Sequence, residues 1–342
     1  MKKQRITYLD LLKVIAMVMV VLSHVLQRHI KGIVPTVWFN IFYSVHMSLF
    51  MFVSGFLIKK RNSFKQYFKY VGKAAFSYLL PSLLFTILTV LTMKRYSDHN
   101  LLYWLKEYVV RTDTFYWYMV VAFILDCVLA LSYLIVSKIK TNTVLLVLLV
   151  VSLFFILISP FYFIYTSSYP GMLSANLMVY LIPMFIFGFI ASYIEKALSK
   201  KYVYIPLFVL CLITYVTILT VRPNFVSFEN TQDFLIHQLG SLCGVIVYYY
   251  ICKWLCKFKI FKDISKYGKY SMPLYLVHVY LIRIITPYVS SINEVNFYSI
   301  SFLIIYMLTF LFGSLFITML LCKNKYVDLL LFGNLNRLKK DV

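Results

Sequence analysis

Three histidines, His24, His46 and His278, lie inside apolar stretches of the sequence. Imidazole accepts and returns a proton near neutral pH, and it is the side chain most often used for general acid or base catalysis. An ionisable side chain within a membrane segment is costly, so it usually marks a functional path or pairs with another polar group. The sequence contains neither an HExxH zinc motif nor a GxSxG nucleophile elbow. It therefore predicts proton-handling chemistry, either base-assisted transfer to an acceptor or a proton relay.

Asp10, Lys13 and His24 fall on one face of the first apolar stretch if that stretch is helical. At about 100° per residue, Lys13 follows Asp10 by about 300° and His24 returns to within about 20° of Lys13. The face is about 21 Å long, enough to line much of a path through a membrane. We predict that Asp10, Lys13 and His24 are catalytic. The alternative is that Asp10 and Lys13 are interfacial anchors and that His24 is hydrogen-bonded inside a helix bundle.

Two further groups of polar residues lie in later apolar stretches. His46 is near the middle of the second stretch, where a neutral imidazole needs a polar partner. His24 in the neighbouring helix can be that partner, so we predict His46 as the fourth catalytic residue. Ser271, Tyr275 and His278 have i, i+4 and i+7 spacing and so share a helix face. We predict that these three bind substrate; the alternative is a packing network in which Tyr275 and His278 contact each other.

The composition indicates that the chain is a membrane protein. Of the 342 residues, 62% are apolar and only 13% are charged, and the mean hydropathy is +0.82. A water-soluble fold could not cover so much apolar surface with so few charges. Spanning segments must be helical because their backbone groups find no water in the hydrocarbon.

The sequence predicts ten membrane-spanning helices, each long enough to cross about 30 Å of hydrocarbon. Their approximate ranges are 8 to 27, 38 to 58, 67 to 93, 115 to 137, 143 to 160, 173 to 195, 203 to 221, 234 to 256, 270 to 290 and 298 to 322. The predicted fold class is therefore an all-α polytopic membrane helix bundle. We expect a single domain over residues 1–342.

The charge distribution predicts the orientation of this bundle. The chain has 34 Lys and Arg against 12 Asp and Glu, but the basic residues are dispersed in short clusters between apolar runs. This dispersion excludes a nucleic-acid-binding patch. Most of the basic residues fall in every second connection, beginning with the N-terminal segment, and cytoplasmic loops carry such an excess. We expect both termini to be cytoplasmic and the protein to be a multi-pass plasma-membrane protein.

Several motifs together resemble the membrane acyltransferase-3 family. They are the Lys13-x10-His24 spacing, the second-span segment SVHMSLFMFVSGF, YGKYSMPLYLVH near the C-terminus, FSYLLPSLLF, FYWYM and IPMFIFGF, and they extend over about residues 1 to 322. The family usually has arginine where this chain has Lys13, which keeps the positive charge but loses the planar bidentate contact. His24 matches the family histidine.

The resemblance implies an O-acyltransferase that moves acetyl from cytoplasmic acetyl-CoA to a hydroxyl of a cell-surface or lipid-linked glycan. It implies that His24 is the general base and that His46 or Asp10 orients it or balances its charge. Trp117, within FYWYM, joins the predicted substrate-binding residues. The implied partners are membrane lipid, the glycan acceptor and other proteins of cell-envelope biosynthesis, with no metal and no nucleic acid.

A basic cluster between the second and third predicted spans is a candidate cradle for the CoA phosphates. Its members are Lys59, Lys60, Arg61, Lys65, Lys69 and Lys73. The alternative is a topological signal that contacts anionic lipid.

Two other function classes stay open on the sequence. One is an exporter or flippase of an exopolysaccharide or its precursor, in which the histidines relay protons; the absence of detectable repeats disfavours it. The other is a non-enzymatic membrane scaffold.

Overall fold

The computed structural model describes residues 5–93, 96–112, 115–225, 231–289 and 297–335. Within these ranges the chain is helical and contains no strand, which confirms the all-α class. The helices are α1 (Thr7–His29), α2 (Val37–Tyr43), α3 (His46–Phe56), α4 (Phe64–Thr92), α5 (Leu101–Val110), α6 (Trp117–Val136), α7 (Thr143–Thr166), α8 (Ala175–Leu198), α9 (Lys201–Val221), α10 (Thr231–Leu255), α11 (Lys259–Ser265), α12 (Ser271–Ile285), α13 (Phe297–Leu321) and α14 (Lys325–Phe332).

Nine candidate membrane spans occur among the described residues, and they correspond to nine of the ten predicted segments. The exception is the segment predicted at 270 to 290. There the chain forms α12, which has 15 residues, followed by a short 3-10 turn at Thr286–Tyr288. A helix of that length rises only about 22 Å, less than the hydrocarbon thickness.

The chain divides into two compact units. The first unit comprises Met1–Val53 and Ala191–Met319, and α1 is its central helix. Helix α1 packs against α2, α10, α11 and α12, and also against the 3-10 segment Lys266–Tyr270. Because α1 is surrounded on several sides, more than half of its residues are buried.

The second predicted span is broken inside the first unit. Helix α2 ends at Tyr43 and α3 begins at His46, so the helical hydrogen bonds are interrupted at Ser44 and Val45, although the Ser44 backbone keeps helical dihedral angles. A backbone group outside the helical hydrogen bonds is tolerated in a membrane only where neighbouring groups satisfy it. Here the Ser241 hydroxyl donates to the Ser44 carbonyl at 2.7 Å, and the Ser44 and Tyr215 hydroxyls share a hydrogen bond of 2.9 Å.

The second unit comprises Ser54–Ile190 and Leu320–Val342. Its helix α4 packs against α5, α6 and α14, and α6 also packs against α7. Gly55 of α3 lies so close to the backbone carbonyl of Phe185 that a side chain at this position would collide with it. This contact agrees with the interpretation of Gly55 as a close-packing residue.

Candidate functional site

His24 and His278 lie against each other in the first unit. Their rings are stacked, with centroids 5.6 Å apart and an angle of 30° between the planes. His278 of α12 is fully buried, whereas His24 of α1 is partly exposed. No hydrogen bond or ion pair to a residue that the structure describes fixes the His24 ring. The pair therefore combines one imidazole that a hydrogen bond fixes with one that no described residue fixes.

The hydrogen bond of His278 decides which of its nitrogens can accept a proton. Its Nδ1 lies 2.9 Å from the carbonyl oxygen of Leu274, one turn earlier in α12. A carbonyl can only accept, so Nδ1 carries the hydrogen and Nε2 holds the lone pair of the neutral ring. Nε2 is buried and has no hydrogen-bond partner among the described residues. The α12 backbone thus presets the tautomer of His278.

The His46 ring is also held by a hydrogen bond from Nδ1 to a backbone carbonyl. Its Nδ1 lies 2.6 Å from the carbonyl oxygen of Tyr43, which the break between α2 and α3 leaves available. The residue is 4% exposed, and its ring centroid is 4.9 Å from that of Tyr43. His24, His46 and His278 lie within electrostatic range of one another. The structure therefore brings the three predicted histidines together from three helices.

Two arginines add positive charge to this cluster. Arg28 and Arg283 both act electrostatically on His24. Arg28 follows His24 by one helical turn, and Arg283 follows His278 by five residues. A developing negative charge near His24 would be stabilised by this local positive potential.

Asp10 and Lys13 are placed away from the histidines. The Asp10 carboxylate accepts from Lys13 Nζ at 2.7 Å and from Arg5 Nε at 2.9 Å, so both of its oxygens have partners. Lys13 is eleven residues before His24 on a continuous helix, a rise of about 16 Å. These two residues share the predicted helix face with His24 but form a separate ion-paired group near the start of α1.

The remaining predicted substrate-binding residues have different surroundings. The Ser271 hydroxyl donates to the Gly268 carbonyl at 3.0 Å and stabilises the start of α12. Tyr275 is buried, with its ring centroid 5.8 Å from that of His278, but the hydrogen bond of His278 goes to Leu274. Trp117 begins α6 in the second unit, where its ring lies edge-on to that of Tyr118.

The predicted CoA cradle lies in the second unit and has two kinds of members. Lys59, Lys60, Lys65, Lys69 and Lys73 are exposed. Arg61 is half-buried, and its guanidinium lies 4.1 Å from the centre of the Tyr70 ring. Arg61 also acts electrostatically on Asp126. It therefore interacts with Tyr70 and Asp126, whereas the five lysines are exposed.

Sequence reasoning did not assign a role to Asp126. This carboxyl group is 6% exposed and accepts a hydrogen bond from the Tyr78 hydroxyl at 3.1 Å. A lone acidic residue in the fourth span indicates a polar contact, but its partner Tyr78 lies 48 residues earlier in the chain. Only the packing of α4 against α6 shows which residues are its partners.

His29 was also missed. It is 1% exposed, its ring centroid is 5.0 Å from that of Tyr306, and neither of its ring nitrogens has a hydrogen-bond partner among the described residues. Its position at the end of α1 made it look like part of a connecting loop. It extends the set of buried imidazoles in the first unit.

The comparisons with known proteins show which family the chain belongs to. In the part of the chain that the structure describes, no three His, Cys, Asp or Glu side chains are grouped as metal ligands. Comparisons with curated proteins and with solved structures give no significant match. The family model described as an acyltransferase domain matches residues 6–322, which include all three clustered histidines. The chain therefore belongs to the acyltransferase-3 family and is a multi-pass membrane acyltransferase.

Proposed function

We propose that this protein is a plasma-membrane O-acetyltransferase that moves acetyl from cytoplasmic acetyl-CoA to a hydroxyl of a cell-surface or lipid-linked glycan. The observation that carries the proposal is the stacked pair of His24 and His278. A partly exposed imidazole without a fixed hydrogen bond lies beside a buried imidazole whose tautomer is preset. This arrangement suits a base that must take a proton from an incoming hydroxyl.

In the proposed reaction His24 is the general base. It takes the proton of the acceptor hydroxyl while the oxygen attacks the thioester carbonyl of the donor. The carbon–sulfur bond then breaks, and the proton passes from His24 to the departing thiolate, so that the products are the acetyl ester and free CoA. His24 is unchanged at the end of the cycle.

The neighbouring residues have supporting roles in this proposal. The lone pair of His278 Nε2 accepts a hydrogen bond that orients either the acceptor hydroxyl or the protonated His24 ring. The positive charges of Arg28 and Arg283 stabilise the oxyanion that forms on the thioester carbonyl. Asp10 and Lys13 contribute to the placement of α1, because their charges are already paired.

The proposal is tested with His24→Ala in membranes supplied with labelled acetyl-CoA. We expect the rate of ester formation on the glycan to fall about 10² to 10⁴-fold, the usual contribution of a general base. His99→Ala is a matched control, because His99 is exposed and belongs to the second unit.

Two results would contradict the assignment. An unchanged rate for His24→Ala at normal abundance would exclude His24 as the base. Mass analysis of surface glycans after deletion of the gene separates transfer from export, because loss of the acetyl mass increment indicates transfer, whereas loss of the polymer itself would indicate an exporter or flippase.

A further inference from the structure

A basic pocket and an apolar groove adjoin each other in the first unit, outside the histidine cluster. The basic pocket has a volume of about 720 Å³ and lies along α11 and the 3-10 segment that follows it. The groove has a volume of about 600 Å³ and lies between α1, α12 and α13. Ile264, Tyr267 and Met319 line both, so the two spaces lie side by side.

The pocket carries an excess of positive charge. Lys259, Lys266 and Lys269 line it against a single acidic residue, Asp263, with Tyr270 beside them. Lys266 pairs with Asp263 at 2.6 Å, but both side chains are more than half exposed and such a pair contributes little. The pocket therefore retains positive charge that fits a phosphate-bearing group.

The groove is apolar along almost its whole length. It is lined by Val14, Met17, Val18, Leu274, Leu311, Phe312, Leu315 and Phe316, together with the residues shared with the pocket and Ser271. The hydroxyl of Ser271 is already used in a hydrogen bond to Gly268. Phe312 and Phe316 are each 62% exposed, so the groove opens on the apolar surface of α13.

The geometry points to an anionic phospholipid as the occupant of this site, with its phosphate in the basic pocket and an acyl chain in the groove. The pantetheine arm of CoA fits less well, because its two amide groups would meet only one available side-chain partner in the groove, the Tyr267 hydroxyl. An acyl chain needs none. The lysines lie in a connection predicted to be cytoplasmic, where anionic headgroups attract basic segments.

The bound lipid would support the segment that carries His278. Helix α12 begins at Ser271 beside the groove, and Leu274, which lines it, provides the carbonyl that holds His278. Lipid in the groove would therefore stabilise the 3-10 segment and the first turn of α12. This inference does not depend on the transfer reaction.

The test uses the purified full-length protein in phosphatidylcholine nanodiscs, with and without phosphatidylglycerol. We expect phosphatidylglycerol to raise the melting temperature and to appear as a bound lipid in native mass spectrometry. The double variant Lys266→Ala/Lys269→Ala should lose most of both effects. The control Lys138→Ala/Lys140→Ala removes two exposed lysines from another connection and should keep them.

The groove is tested separately. Leu315→Trp fills it and should lower the retention of phosphatidylglycerol, whereas Leu308→Trp, on the same helix but outside the groove, should not. Equal lipid effects in the wild type and the lysine double variant would overturn the inference. The inference would also be overturned if CoA or inorganic phosphate alone raised the melting temperature by the same amount and the lysine double variant lost this effect. The site would then need no acyl chain.

Discussion

The Ser241 hydroxyl of α10 donates a hydrogen bond of 2.7 Å to the backbone carbonyl of Ser44, at the break between α2 and α3. Both residues are buried. Next to this contact, Gly244 of α10 leaves room for Val45, which a larger residue would displace. The Tyr43 carbonyl beside this break lies 2.6 Å from Nδ1 of His46, so helix α10 is bonded to the segment that holds a candidate catalytic histidine.

Ser241→Ala should therefore lower both stability and activity. It leaves the Ser44 carbonyl without its side-chain donor in a buried position, which costs about 1 to 3 kcal/mol in the free energy of unfolding. Thermal unfolding in detergent and the rate of acetyl transfer measure the two effects. Ser314→Ala is the control, because the buried hydroxyl of Ser314 bonds only to a carbonyl of its own helix. Equal changes in the two variants would show that the Ser44 contact has no special role.

His24→Ala and His278→Ala should not be additive. If the two imidazoles act together, the second substitution removes a function that the first has already lost, so the double variant should be little slower than His24→Ala. A double-mutant cycle on the rate of ester formation measures this coupling. If the losses instead multiply, the stacked rings act independently and His278 has a structural role only.

The membrane spans were predictable from sequence, because an apolar stretch of about twenty residues is rare outside a membrane-spanning helix. The proximity of His24 and His46 could be expected, because they lie on two spans that are consecutive in the sequence. The stacking of His24 on His278 could not, since no local pattern shows which of the other helices packs against α1. The break in the second span could not be predicted either, because Ser44 and Val45 are residues that also occur within helices. The break is stabilised by hydrogen bonds from Ser44 to Tyr215 and Ser241, which are distant in sequence.

The role predicted for Asp10 and Lys13 shows a different limit. Helical periodicity predicts that both lie on the face of His24, about 16 Å from it along the axis. The periodicity does not show that Asp10 accepts hydrogen bonds from both Arg5 and Lys13. These ion pairs form between side chains three and five residues apart, and the catalytic role of Asp10 and Lys13 stays a prediction.

Gly268→Ala should impair the enzyme through the position of α12. A Cβ atom at Gly268 would lie 2.5 Å from the backbone oxygen of Asp10, so the 3-10 segment would have to move away from α1. We expect lower thermal stability and a lower transfer rate, since His278 is carried by the helix that follows. Gly72→Ala is the matched control: a Cβ there meets nothing within 4 Å, and alanine in the interior of α4 should stabilise by about 0.5 to 1 kcal/mol. Unchanged stability in Gly268→Ala would mean that the two segments are not in firm contact.

Tyr78→Phe should destabilise the second unit without acting on the histidines directly. It removes the hydroxyl that donates to the buried Asp126 carboxyl group, and such a hydrogen bond typically contributes about 0.5 to 1.5 kcal/mol. In Asp126→Ala the same substitution should cost less, because the acceptor is then absent. Thermal unfolding of the two single variants and the double variant gives the coupling energy, and Tyr162→Phe, at an exposed position of α7, is the control. A coupling energy near zero would contradict a stabilising hydrogen bond between Tyr78 and Asp126.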